Sequence, residues 1–168
     1  MAFQKSVGFE QGFGVPGDIH LESPTRAENL IINSNGKKNV YGYAFTKDSA
    51  TNVAQVGGQI ETGRVFAGIL ANPKEAVSYG TEKGPLESSL AIADHQHGDF
   101  VTMGDVVVHV TTQCKIGDFV VYDKDTGELS TVSDKSSLEG KELVPNAIIY
   151  RYPVTNSAGG LTIIRLSN

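Results

Sequence analysis

Residues 64–80 have the sequence RVFAGILANPKEAVSYG, and this stretch decides the fold. The seven residues after the arginine are mainly apolar, which is the length of a strand and too short for an ordinary helix. Phe66 and the β-branched Val and Ile suit a pleated surface, whereas Gly68 disfavours a helix. Pro73 then ends the strand, because it has no N–H to donate and biases the residue before it away from helical backbone. The stretch predicts a central strand followed by a sharp corner.

Short apolar runs separated by turn residues continue on both sides of this strand. Asn35-Gly36 and Gly159-Gly160 are strong turn signals. About nine or ten short strands at this spacing, with no convincing helix, are typical of a β-sandwich, jelly roll or small barrel. We therefore predict an all-β, jelly-roll-like β-sandwich or barrel over residues 31–168. Its predicted core includes Phe66, Ile69, Leu70, Phe119, Val121, Ile148 and Ile163.

Residues 1–30 differ from the rest of the chain. Their apolar residues fall mostly on odd-numbered positions, as in an extended ribbon, and glycines interrupt them repeatedly. Such a segment cannot build its own core, so we predict an extended N-terminal arm over residues 1–30. It lies either on its own domain or on another subunit or larger surface, and the high cost of leaving phenylalanines in water favours the second. The predicted contact residues of the arm, toward another subunit or a larger surface, are Phe3, Val7, Phe9, Phe13, Val15, Pro16 and Ile19.

Composition limits the class of partner. The chain has 168 residues, the length of one domain, and a net charge of −5. A nucleic-acid-binding surface would show clustered Lys and Arg, so no nucleic-acid partner is expected. No apolar run approaches the ~18 residues of a membrane span or forms a signal peptide, so we expect no membrane partner and synthesis as a soluble protein in the cytoplasm. The single cysteine, Cys114, is interpreted as a small buried residue in a reducing compartment.

One cluster contains candidate metal ligands. His95 and His97 would project to the same side of a strand, and neutral imidazole binds Zn²⁺. No HExxH or CxxC frame accompanies them, and the cluster falls in a polar stretch, so we interpret these side chains as solvated loop histidines. The alternative is a small cupin-type β-barrel metal-binding module or enzyme that uses His95, His97 and His109.

Four Gly-Asp pairs, at 17–18, 98–99, 104–105 and 117–118, are interpreted as turns rather than as acidic catalysis. Glycine supplies the turn, and the aspartate caps nearby backbone N–H groups. The chain has no GxGxxG, Walker or GxSxG motif. We therefore predict no catalytic residue, no metal, no cofactor and no enzymatic activity.

A series of motifs, taken in order, matches a known family. The matching segments are Phe3-Gln4, Gly12-Phe13-Gly14-Val15-Pro16-Gly17-Asp18-Ile19, Ser23-Pro24 with Arg26-Ala27, Phe66-Ala67-Gly68-Ile69-Leu70-Ala71-Asn72-Pro73-Lys74, Tyr79-Gly80-Thr81, Met103-Gly104, Ile116-Gly117-Asp118 with Val120, Tyr122-Asp123 and Thr126-Gly127, Leu143-Val144-Pro145-Asn146-Ala147, Arg151-Tyr152-Pro153-Val154 and Ala158-Gly159-Gly160-Leu161. With these segments in this order, the chain resembles the structural cement (capsid decoration) protein family of tailed bacteriophages over nearly its whole length.

The resemblance implies a jelly-roll-like β domain on the outside of the phage head. It implies binding at the seams between major capsid protein subunits, and self-association as a homodimer or homotrimer. It carries over no catalytic residue. The implied location is the capsid exterior of the virion, after synthesis in the host cytoplasm.

Overall fold

The structure is a computed structural model and describes residues 14–20, 23–61, 63–73, 91–136, 138 and 140–167. These residues form the strands β1 (Ile19–His20), β2 (Arg26–Ile31), β3 (Asn39–Val40), β4 (Ala44–Asp48), β5 (Ala54–Val56), β6 (Arg64–Leu70), β7 (Ala91–Ile92), β8 (His97–Val110), β9 (Phe119–Tyr122), β10 (Leu129–Val132), β11 (Glu142–Arg151) and β12 (Gly160–Leu166). The described part of the chain contains no helix, and hence none long and apolar enough to cross a membrane. The all-β prediction is confirmed, and the architecture is a closed barrel with extra strands.

The longest strand, β8, organises the fold. Its C-terminal half pairs with β12, from Gly104 opposite Leu166 to Val110 opposite Gly160. The sheet then continues antiparallel through β11, β9 and β10. β10 meets the end of β8 in a parallel pairing between Leu129 and Val110. This last contact closes a five-stranded barrel.

The N-terminal half of β8 belongs to a second ring of strands. β2 pairs with one edge of this half, and β6 pairs with the other edge at Val101 and Phe100. β6 continues to β4, and β4 continues to β5. A parallel bridge between Ile32 and Ala54 connects the end of β2 to β5. The strand predicted within residues 64–80 is therefore an inner strand of this ring, and β8 is shared by both rings.

The turns predicted at Gly98-Asp99 and Gly104-Asp105 are wrong, because both pairs lie inside β8. The register of β2 against β8 shifts between Arg26, opposite Met103, and Ala27, opposite Val101, so Thr102 is left over as a β-bulge. Gly104 has a φ of 126°, a conformation that residues with a Cβ rarely adopt. β8 therefore bends near Gly104, at the boundary between the two rings, and its residues remain paired in the sheet on both sides of the bend.

Two groups of buried apolar side chains fill the two rings. The group inside the barrel includes Val106, Val108, Val110, Val120, Tyr122, Leu129, Ile149 and Ile164. The group inside the second ring includes Ile32, Phe45, Val56, Leu70 and Phe100. The rings of Phe45 and Phe100 lie 5.1 Å apart, within the range of favourable aromatic pairs.

The predicted core residues differ in burial. Ile69, Leu70, Val121 and Ile163 are fully buried, and Phe66 and Phe119 are half-buried. Ile148 does not belong to the core, since its side chain is 36% exposed. Its neighbours Ala147 and Ile149 point into the barrel, and successive residues of a strand point to opposite faces, so Ile148 faces outward.

The N-terminal region runs along one edge of β8. β1 pairs with Val106 and Asp105, and β2 pairs with residues 97–103. Residues 14–20 and 23–30, which the sequence analysis assigns to the arm, thus contribute β1 and all of β2 except Ile31 to the β sheet. Residues 1–13 lie outside the described residues, so an extended arm over them stays a prediction.

Candidate functional site

The junction, residues 14–20, connects the predicted arm to the barrel. The Gly17 N–H donates to the Val107 carbonyl (2.8 Å), and the Val107 N–H donates to the Asp18 carbonyl (2.8 Å). The Asn72 N–H, at the corner after β6, donates to the Gly17 carbonyl (2.8 Å). A Cβ on Gly17 would lie 2.7 Å from the Asn72 nitrogen, so only glycine fits here. These contacts tie the junction to β8 and to the corner.

The junction contains three of the predicted contact residues. Val15 is 42% exposed, Pro16 is half-buried, and Ile19 is half-buried against the barrel core. Ile19 therefore packs on its own domain, whereas Val15 remains accessible among the described residues. The other four predicted contact residues, Phe3, Val7, Phe9 and Phe13, lie outside the described residues.

A buried ion pair lies next to β1. The fully buried Asp105 accepts two hydrogen bonds from Arg165, Nε to Oδ1 at 2.7 Å and Nη2 to Oδ2 at 2.8 Å. The Arg165 guanidinium carbon lies 3.5 Å from the centroid of the Tyr150 ring. His20 of β1 is the register partner of Asp105. The Arg165 hydrogen bond lowers the pKa of Asp105 against the opposing effect of burial, and the pKa of Arg165 is raised in turn. Both groups stay charged.

The structure does not bring the three candidate histidines together. His95 is exposed in a turn with a φ of 67°, and His97 is exposed at the start of β8, with Nδ1 2.8 Å from Asn29 Oδ1. His109 lies near the other end of the same strand, up to roughly 40 Å away at ~3.3 Å per residue. Among the residues that the structure describes, no group of three or more His, Cys, Asp or Glu side chains could hold a metal ion.

Asp94, which is next to His95 in the sequence, makes hydrogen bonds that stabilise a turn. Its carboxylate accepts hydrogen bonds from the Ser34 N–H, the Gly36 N–H and Asn39 Nδ2, each at 2.9 Å. Burial alone would raise the pKa of Asp94, but the hydrogen bonds from Gly36 and Ser34 outweigh it and lower the pKa. The carboxylate of Asp94 thus connects the Asn35-Gly36 turn to Asn39, the first residue of β3.

Cys114 also has a structural role, as a buried residue of the core. It is buried, and its backbone exchanges two hydrogen bonds with Val154, at 2.9 and 3.0 Å. Burial raises the pKa of its thiol, which keeps the thiol protonated and unreactive at neutral pH.

The described residues form an all-β protein in which polar side chains such as Asp94 and Asp105 connect strands and turns. The chain belongs to the structural cement protein family of bacteriophages. The family model described as "Structural cement protein (E217 gp24/Pam3 gp6)" matches residues 3–167. The resemblance inferred from the sequence motifs is confirmed, and the protein is a structural protein of the phage virion.

The fold is shared with solved structures, among them a chain of a phage capsid. A chain in "The capsid of Myoviridae Phage XM1" superposes with a TM-score of 0.64 at 16% sequence identity. The match covers 100% of this chain and 99% of that chain. No curated protein sequence matches this chain.

Sequence analysis missed the pairing of Asp105 with Arg165. A signal was present, since Arg165 interrupts the apolar run of β12 and Asp105 directly precedes the apolar run of Val106 to Val108. A charge within a strand that is otherwise apolar predicts a buried partner, because an unpaired buried charge is very costly. The sequence does not indicate which two charges meet.

Proposed function

We propose that this protein binds the outside of the phage head, at the seams between major capsid protein subunits, and stabilises the assembled shell. The observation that carries the proposal is the family match over residues 3–167. The similar fold of a chain from a phage capsid structure supports it over the full length. We also propose that the protein is not an enzyme, because the family to which it belongs is one of structural proteins.

Residues 1–13 supply apolar contacts in this proposal. Fully burying each of Phe3, Phe9 and Phe13 contributes roughly 1.5–3 kcal/mol, less the conformational entropy lost when these residues are fixed in the complex. The hydrogen bonds of Gly17 and Asp18 to Val107 give this segment a fixed point of departure from the barrel. Val7 and the exposed Val15 extend the same apolar series.

Stabilisation follows from linkage. A protein that binds the assembled shell, and not its dispersed subunits, shifts the equilibrium toward the shell by mass action. We propose that the protein acts as a homodimer or homotrimer, because several linked contacts on a repeating surface raise the effective affinity.

Heating tests the proposal directly. Heads that lack the protein are compared with the same heads after purified protein has been added and the excess removed, and DNA release is followed with a fluorescent dye. We expect release at a higher temperature with the protein bound. Equal release temperatures at full occupancy would show that it decorates the head without cementing it.

A further inference from the structure

Strand β2 has one backbone edge that faces away from β8. Ile32, directly after β2, donates its N–H to the Gln96 carbonyl (3.0 Å) and accepts from the His95 N–H (2.7 Å), both in the loop before β8. Alternate residues of a strand direct their N–H and C=O groups to opposite edges, so the even-numbered residues of β2 point toward β8. The backbone groups of Ala27 and Asn29 therefore point the other way, toward what we call the open edge of β2.

The open edge is closed at one end only. The Asn33 N–H donates to the Ala54 carbonyl (2.8 Å), so β5 covers the edge just beyond Ile31. Before that point, the backbone groups of Ala27 and Asn29 have no hydrogen-bond partner in the part of the chain that the structure describes. Five of the six residues of β2 are exposed. An exposed, unpaired edge is a template on which a strand of another chain can be added.

We propose that the open edge pairs with β2 of a second copy of the chain, antiparallel and across a two-fold axis at Ala27. This inference rests on the self-association in the proposed function and specifies its interface. A two-fold contact uses the same surface on both copies, so the edge must be complementary to itself. With the axis at Ala27, Arg26 lies opposite Glu28 of the second copy, and Glu28 lies opposite its Arg26. Opposite charges that face each other across two strands stabilise the pairing.

Two other antiparallel registers use the same backbone groups and fit less well. An axis at Glu28 would place two carboxylates directly opposite each other, and like charges in that position are destabilising. An axis at Asn29 would bring the second copy opposite Ile31, where the bridge between Ile32 and Ala54 already places β5. The register centred on Ala27 avoids both problems.

The charged groups around the open edge are compatible with this register. No carboxylate among the described residues forms an ion pair with Arg26. Glu28 Oε2 contacts Lys47 Nζ of β4, but the Glu28 side chain is 46% exposed and its other oxygen is left for a second cation. The Asn29 side chain donates to Asp99 Oδ1 (2.7 Å), so it does not compete for the backbone groups of the edge.

Charge reversal at the axis tests the pairing in the purified full-length protein, with sedimentation velocity reporting self-association. Arg26→Glu places like charges opposite each other twice and should weaken the dimer by about tenfold or more. The double variant Arg26→Glu/Glu28→Arg restores opposite charges in exchanged positions, so it should recover the dimer although it also lacks the contact with Lys47. Lys37→Glu, at an exposed residue elsewhere, should associate as the wild type does.

Ala27→Pro tests the backbone contact without a change of charge. Because the Ala27 N–H points away from β8, proline removes a hydrogen bond of the dimer and leaves the pairing of β2 with β8 in place. The variant should melt close to the wild type and be mainly monomeric. Thermal melts report the fold of every variant.

Ala27→Cys tests where the axis lies. The Cα atoms of a hydrogen-bonded antiparallel pair are about 5.5 Å apart, a distance that a disulfide spans. Under mild oxidation with copper phenanthroline, the variant should form a covalent dimer on non-reducing gels, both in solution and on heads. Val65→Cys, at an exposed residue of β6, should not.

The outcomes are distinct. Failure of Ala27→Cys to cross-link, in solution and on heads, would overturn the proposal, and so would a homotrimer, because a two-fold contact does not generate three copies. Unchanged self-association of Arg26→Glu and of folded Ala27→Pro would place the interface elsewhere. Loss of head binding by these variants, without any cross-link, would assign the open edge to a strand of the capsid instead. If the wild type does not bind heads while Ala27→Cys cross-links, the proposed function fails and the pairing of β2 stands.

Discussion

Asp105 and Arg165 form the most consequential polar contact among the described residues. They are 60 positions apart in the chain, and the carboxylate is fully buried. A buried charge remains stable only when it is paired and hydrogen-bonded, and here both carboxylate oxygens are occupied. The pair therefore fixes the register of β12 against β8 at the point where β1 also arrives.

Asp105→Asn should destabilise the protein strongly. The variant keeps the shape of the side chain but leaves the Arg165 charge without its counter-ion. Breaking a buried pair costs about 3–5 kcal/mol, and because the side chain of Arg165 is 33% exposed we expect about 2–4 kcal/mol in urea unfolding at pH 7. Asp99→Asn, at an exposed position of the same strand, is the matched control. Equal losses for the two variants would mean that the ion pair contributes nothing specific.

The same carboxylate predicts how stability depends on pH. The pKa of Asp105 is lower in the folded protein than its ordinary value near 4, so the unfolded chain binds more protons between those two values. The contribution of Asp105 is complete above the ordinary pKa and is lost as the pH falls through the lowered one. Urea midpoints between about pH 5 and pH 2 should fall less steeply for Asp105→Asn than for the wild type. Parallel curves would contradict this assignment.

At the scale of single elements, β6 and β8 show how closely two strands approach. Gly68 of β6 has a φ of 138°, and a Cβ there would lie 2.6 Å from the Val101 carbonyl oxygen of β8. The register of β6 against β4 shifts beside it, between Phe45 and Thr46. Glycine at position 68 therefore permits both the bulge in the pairing of β4 with β6 and the close approach of β6 to β8.

Gly68→Ala should cost more than Gly63→Ala. Both glycines have positive φ, at 138° and 90°, so both variants strain the backbone by about 1–3 kcal/mol. Gly63 has nothing within 4 Å of the added Cβ, whereas the Cβ at Gly68 meets backbone that must shift, which adds roughly 1–3 kcal/mol. Denaturant unfolding of the two variants measures the difference. Identical midpoints would mean that β6 can move away from β8 freely.

At the scale of the whole molecule, the junction determines how many N-terminal residues can be deleted without destabilising the fold. Deleting residues 2–13 leaves the backbone hydrogen bonds of Gly17 and Asp18 to Val107 and Asn72 in place, so the melting temperature should stay close to that of the full chain. Deleting residues 2–20 removes three backbone hydrogen bonds to Val107 and Asn72 and the packing of Ile19. At 0.5–1.5 kcal/mol each, the bonds alone cost about 2–4 kcal/mol. Equally stable truncations would contradict this boundary.

The shorter deletion also tests the proposed contact of residues 1–13. If they supply even ~3 kcal/mol of binding, their loss lowers the affinity for heads by more than about a hundredfold. Bound copies on heads that lack the protein are counted for both chains, and size-exclusion chromatography reports the oligomeric state. Equal occupancy at equal concentration, with an unchanged oligomeric state, would remove these residues from the interface.

The amino-acid sequence alone determined the class of fold and the family. Short apolar runs, turn residues such as Asn35-Gly36 and the order of the family motifs are local features, so they can be recognised without knowing which strands meet. The same locality explains the errors. In the run Ala147-Ile148-Ile149 every residue is apolar, so alternation does not show which side chain faces outward.

Only the tertiary structure decided that β8 is one strand shared by two rings, that Asp105 is buried against Arg165, and that His97 and His109 lie far apart. Each of these facts depends on register and closure between segments distant in the chain, such as Leu129 against Val110 and Ile32 against Ala54. A shift of one residue in any of these pairings would move an entire set of side chains to the other face. The bulge near Gly104 is set in the same way, because it depends on how β1 and β2 lie along β8.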